Sequence, residues 1–139
     1  MRMFVLAIIM ALLIPSQSAW AQPLSQKAAV ALAEKFIAEN GYTKAAPDRI
    51  KQQLVFESIE LAPTRDEMLR RRYNTLQPKA IGAKEGRKSS KAGWSIAFDY
   101  VSVSRGDQDM CRVVTMNADG SDIRIEHVDG FRKAFAGFN

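Results

Sequence analysis

One stripe of apolar residues does most to limit what this chain can fold into. Ala29, Leu32, Ala33, Phe36 and Ile37 recur at the three- and four-residue spacing that places them on one face of a helix. Ser25, just ahead of the stripe, is a good N-cap because its hydroxyl can accept from an orphan backbone N–H. Lys27, Glu34, Lys35 and Glu39 take other positions. Asn40-Gly41 closes the pattern, with Gly41 suited to the left-handed position after a helix and Tyr42 placed to fold back on Ile37. The spacing predicts a helix over 25–40.

The rest of the chain reads in order. Pro47-Asp48 marks a loop over 43–49. Residues 50–61 are expected to form a strand, with Val55, Ile59 and Leu61 on one parity, Leu54 and Phe56 on the other, and both faces partly covered. A second helix is expected over 64–76, opened by the capping-box pair Thr64 and Glu67 and carrying Met68, Leu69, Arg72, Tyr73 and Leu76 on one stripe. Gln77-Pro78 stops it, and the Gly-, Ser- and Lys-rich stretch 79–93 is expected to be a long mobile loop.

The last third alternates with a period of two, the mark of a half-buried strand. Trp94, Ile96, Phe98 and Tyr100 alternate with Ser95, Ala97 and Asp99. A strand over 111–116, a tight turn at Asn117-Ala118-Asp119-Gly120 and a return strand over 121–127 follow, with Gly120 taking positive φ. Asp129-Gly130 leads into an aromatic tail of Phe131, Phe135 and Phe138. The tail is expected to close over the sheet as core, with an exposed dimerisation patch, and hence a homodimer, as the alternative. Helices early and strands late argue an α+β fold, with the N-terminal helix packed on a curved antiparallel sheet.

The first residues do not belong to that fold. Met1, Arg2 and Met3 start the chain, Phe4 to Ile14 is an unbroken apolar run, Pro15 and Ser16 break it, and Ala19-Trp20-Ala21 fits the small-x-small cleavage rule. This predicts a secretory signal peptide over 1–21, cut between Ala21 and Gln22, and a single domain over 22–139. The run is shorter than the roughly 20 apolar residues a spanning helix needs, so a periplasmic or secreted protein is expected, with no membrane attachment after cleavage. The residue after the cut is Gln22 rather than the cysteine of a lipoprotein.

Composition bounds the chemistry. The chain carries one histidine, His127, and one cysteine, Cys111, and no standard zinc site can be built from them. It has no Gly-rich phosphate loop and no nucleophile elbow, and no metal or other cofactor is expected. Cys111 lies in an apolar strand pattern and reads as a buried small hydrophobe, against an intermolecular disulfide or a nucleophile. The formal net charge of +5 falls by one when Arg2 leaves with the leader. A mildly basic exported protein suits an acidic protein partner or an anionic envelope component better than nucleic acid.

Two sets of residues are candidates for function. The first is basic: Arg70 and Arg71 on the second helix, with Lys84, Arg87, Lys88 and Lys91 in the expected loop and Trp94 at its border. Arginine forks match carboxylates, and Trp beside arginine is the composition of an interface hot spot. Arg72 falls on the apolar stripe instead and is expected to cover the core with its stem. The second set is His127 with Asp99, an acid–base pair if both face a pocket.

The order of elements also looks like the NTF2-like and cystatin-like group. The stretch from Ala31 to Thr43, Ala-Leu-Ala-Glu-Lys-Phe-Ile-Ala-Glu-Asn-Gly-Tyr-Thr, resembles the opening helix of the NTF2-fold immunity proteins. Gly93-Trp94-Ser95-Ile96-Ala97-Phe98 and the strand-turn from Arg112 to Gly120 resemble their later strands. The resemblance implies a non-catalytic protein that binds and blocks a cognate bacterial toxin. The chain is short for a full NTF2 fold. The alternative is a small-molecule binder or acid–base enzyme built on an NTF2-like pocket. An envelope accessory protein is the third expectation.

Overall fold

The computed structural model describes residues 22–50, 54–57, 60–102, 109–135 and 137. The expected leader, 1–21, and Phe138 lie outside the described residues.

Helix α1 spans Gln26–Glu39, and the Ser25 side chain accepts from the Ala28 N–H as its N-cap. Gly41 adopts a φ of 82°. The N–H of Gly41 donates to the Ala38 carbonyl and that of Tyr42 to the Ile37 carbonyl at 3.0 Å. These are the two bonds of a Schellman ending, as the Asn40-Gly41-Tyr42 sequence predicts. A 3-10 turn, Pro47–Arg49, follows. Helix α2 spans Arg65–Arg72, with the Thr64 hydroxyl accepting from the Glu67 N–H. It ends before the expected Leu76, because Tyr73 leaves helical geometry and Asn74 takes a φ of 55°.

Strands β1 (Leu76–Arg87), β2 (Ser90–Tyr100), β3 (Met110–Met116), β4 (Arg124–Ile125) and β5 (Gly130–Phe131) build an antiparallel sheet. Its order is β1-β2-β3-β4, with β5 also on β3. A 3-10 turn, Arg132–Ala134, follows β5. The fold is α+β, with helices packed on a curved antiparallel sheet.

The core lies between α1 and one face of the sheet. Ala29, Ala33, Phe36 and Ile37 meet Leu76, Trp94, Ile96, Phe98, Val114, Met116 and Ile125. Each fully buried Leu, Ile, Val, Phe or Met among them contributes about 1.5–3 kcal/mol through the hydrophobic effect, and each alanine less. Glu34 of α1 ties the helix to the sheet edge, accepting from the Ala80 N–H at 3.1 Å and from Lys79 Nζ at 3.0 Å. The opposite face carries a smaller cluster in which Phe135 covers Ala97, Cys111 and Val113. Ser95 and Ala97 are consequently buried as well. α2 packs through Met68 on Ile50 and Leu54 in a third cluster.

Three further expectations are corrected. The stretch 79–93 is not a mobile loop: it forms most of the β1–β2 hairpin, turning at Lys88-Ser89. Its polar residues fit because β1 lies at the end of the strand order, where charge and Pro78 are tolerated. Its glycines serve strand geometry, since Gly86 and Gly93 take φ of 93° and 98° beside shifts in register or close backbone approach.

Among the described residues of 50–61 there is no strand. Val55 and Phe56 are exposed, at 43% and 61%. Side chains replace the missing ladder there: the Val55 N–H donates to Asn40 Oδ1 at 2.8 Å, and Arg72 Nη2 donates to the Val55 carbonyl at 2.7 Å. Residues 51–53 and 58–59 of that expected strand lie outside the described residues.

The return strand over 121–127 is reduced to β4. The turn before it forms as expected, with the Gly120 N–H donating to the Asn117 carbonyl at 2.9 Å and Gly120 at a φ of 83°. β4 and β5 then cover successive stretches of one edge of β3, and their registers differ by two residues. The chain between them therefore bulges over His127, Val128 and Asp129, none of which is in a strand.

Candidate functional site

The sheet face opposite α1 holds an open groove of about 730 Å³. One rim is the β1–β2 hairpin, with Lys84, Arg87, Lys88 and Lys91. The other rim is the bulge and the chain after it, with Val128, Phe131 and Phe135. Ser95 and Thr115, cross-strand partners on β2 and β3, also line it. Both hydroxyls are engaged, Ser95 donating to the Gly86 carbonyl at 2.7 Å and Thr115 to Glu126 at 3.0 Å.

The basic candidates divide by what they touch. Lys88 and Lys91 are exposed on the hairpin and have no ion-pair partner among the described residues. Lys84 Nζ lies 4.8 Å from the centroid of the Phe135 ring, a cation–π distance. Arg87 is mostly buried and holds Asn117 and, at 3.0 Å, Asp122, so it ties the β1–β2 hairpin to the β3–β4 turn. Hydrogen bonds from Arg124, and then from Arg87, hold the Asp122 carboxyl below its ordinary value.

Arg70 and Arg71 line neither this groove nor the cleft described next. Both close on Glu67, Arg71 at 2.9 Å and Arg70 at 2.6 Å, and their hydrogen bonds keep its carboxyl below its ordinary value. Trp94 is only 8% exposed and packs in the α1 core rather than at a rim.

A second cavity, of about 310 Å³, opens on the helix side between α1, residues 55–57 and β4. Phe36, Tyr42, Phe56 and Ile125 wall it, and Glu57 and His127 stand in it. Glu57 is the carboxylate that meets His127, with Oε2 at 3.8 Å from Nδ1. Asp99, expected in that role, instead pairs with Arg132 at 3.2 Å and lines neither cavity.

Glu57 belongs to a polar network that sequence reasoning did not find. Its Oε1 accepts from the Tyr42 hydroxyl at 2.9 Å, and its Oε2 receives Arg112 Nη2 at 3.4 Å. Arg112 also reaches Asp129, which accepts from the Tyr100 hydroxyl at 2.6 Å. Beside it Arg72, its side chain 2% exposed, binds Glu60 through Nε at 2.6 Å and donates to the Asn40 carbonyl at 3.1 Å. Burial drives the Tyr42 hydroxyl well above the ordinary tyrosine range and pushes Tyr100 up to about 12. The strand parity expected over 50–61 gave no usable signal for Glu57, because the described residues there form no strand and Val55 and Leu61 are exposed.

Among the described residues no group of His, Cys, Asp and Glu could hold a metal ion. Cys111 is fully buried, and burial pushes its thiol up to about 11. No described helix is long and apolar enough to cross a membrane. The chain matches no protein-family model, and neither curated proteins nor solved structures include a significant match to it.

Proposed function

We propose that this chain is an exported, non-catalytic binding protein that holds an acidic protein partner against the open face of its sheet. Occlusion of a cognate bacterial toxin, as an immunity or inhibitor protein, is the form of binding that the resemblance to the NTF2-fold immunity proteins implies. One observation carries the reading. Lys88 and Lys91 project unpaired on the rim of the groove, while most arginines are spent on the protein's own carboxylates. Charges left uncompensated on a rim steer an oppositely charged partner and set the salt dependence of its capture. The test is capture from periplasmic and secreted fractions with wild-type protein and with the K88E/K91E double variant. A stoichiometric partner held by the wild type, released by salt and lost with the variant supports the reading. A partner held equally by both baits rules out the groove.

A second reading rests on the contact between Glu57 and His127. A carboxylate beside an imidazole in an aromatic-walled cleft suits a small-molecule binder or an acid–base enzyme. That reading predicts a metabolite that raises the Tm of the wild type by mass action and fails to do so with Glu57→Gln.

A further inference from the structure

We infer that the segment the groove receives carries a bulky apolar anchor flanked by carboxylates, and that Val128 and Phe131 seat the anchor. This rests on the binding reading above and specifies the partner's chemistry. Val128 is 67% exposed and Phe131 54%, and both line the same groove as the buried Phe135. A single exposed apolar residue is ordinary, but an apolar rim continuous with a covered aromatic is a contact surface.

Cations stand over this apolar rim. Lys84 lies over the Phe135 ring, and Lys133 Nζ lies 5.9 Å from the centroid of Phe131. Lys88 and Lys91 face them from the hairpin. Two lining carboxylates are already committed, Glu126 to Thr115 and Asp129 to Tyr100 and Arg112; Glu85 remains on the hairpin. An apolar strip bounded by lysines is complementary to a segment whose middle is apolar and whose ends are acidic. A purely acidic segment would leave Val128 and Phe131 in water. A purely apolar one would desolvate the lysines without pairing them.

The test uses the folded protein and three synthetic capped peptides: Glu-Glu-Leu-Phe-Leu-Glu-Glu, Glu-Glu-Ser-Ser-Ser-Glu-Glu and Lys-Lys-Leu-Phe-Leu-Lys-Lys. Fluorescence anisotropy should find the first bound about tenfold more tightly than the second, and the third not bound. Val128→Ser lies in the bulge outside any strand, and Phe131→Ser is exposed on β5. Each should erase the tenfold preference and leave the second peptide unaffected, with an unchanged circular dichroism spectrum. K88E/K91E should weaken both acidic peptides. Equal binding of the two acidic peptides, still sensitive to K88E/K91E, overturns the apolar anchor and leaves the acidic-partner reading standing. Binding of neither acidic peptide, with binding to phosphatidylglycerol vesicles instead, overturns both.

Discussion

The guanidinium of Arg72 sits 4.5 Å from the centroid of the Tyr42 ring, so a residue of the last turn of α2 is stacked on the residue that closes the Schellman ending of α1. The same guanidinium binds Glu60 and the carbonyls of Asn40 and Val55. It thereby fastens a segment that no strand holds. Removing it leaves two carbonyls without this donor and the Glu60 carboxylate with the Glu57 N–H but no cation. Arg72→Ala is expected to cost about 3–5 kcal/mol, the range for breaking one side of a buried pair. Lysine cannot reproduce a planar fork, so Arg72→Lys should recover only part. Urea unfolding of the two variants checks this, and a loss under 1 kcal/mol in Arg72→Ala would show that the network is not needed.

Alkali should unfold this protein in a defined window. Burial, then the hydrogen bond to Asp129, raises the Tyr100 hydroxyl from 10.0 to about 12, and Tyr42 is raised further by burial. A folded pKa above the unfolded one means that the neutral phenol is favoured in the fold. That contribution is whole below pH 10.0 and is lost as pH rises toward about 12. Tyr100→Phe is expected to be less stable near neutrality and flatter across the window. Denaturation midpoints followed from pH 10.0 to about 12 read the slope directly, and parallel curves for wild type and variant would contradict the assignment.

Cys111 is expected to be inert in the folded protein. Its side chain is covered by the cluster of Ala97, Val113 and Phe135, and burial pushes the thiol up to about 11. Iodoacetamide at pH 8 should label it only after denaturation, because the thiolate is the reactive form. Labelling of the native protein within minutes would reopen the nucleophile and intermolecular-disulfide readings.

Gly93 should not tolerate a side chain. Its φ is 98°, and a Cβ there would lie 2.4 Å from the Met116 carbonyl oxygen. Gly93→Ala is expected to cost at least about 1–3 kcal/mol in backbone strain alone. Thermal unfolding reads the loss, and an unchanged Tm would mean that the strand ends separate freely.

The two rims of the groove differ in how far they could be foreseen. Lysine at 84, 88 and 91 was legible as a basic surface in the sequence. Phe131 was legible only as part of an aromatic tail, since its exposure and the burial of Phe135 depend on how the chain after β5 crosses the sheet. Strand parity placed His127 on the side of Ile123 and Ile125, and it lines the helix-side cavity with them.

Local chemistry by itself determined α1 and its ends, the Thr64 cap, the alternation in β2 and the Gly120 turn. Each rests on contacts within a few residues, which one sequence states completely. Tertiary structure alone decided that 79–93 pairs as a hairpin, that 54–57 is held by side chains instead of a ladder, and that Glu57 rather than Asp99 meets His127. Those outcomes join residues far apart in the chain, where pairing and burial, not local propensity, set the free energy.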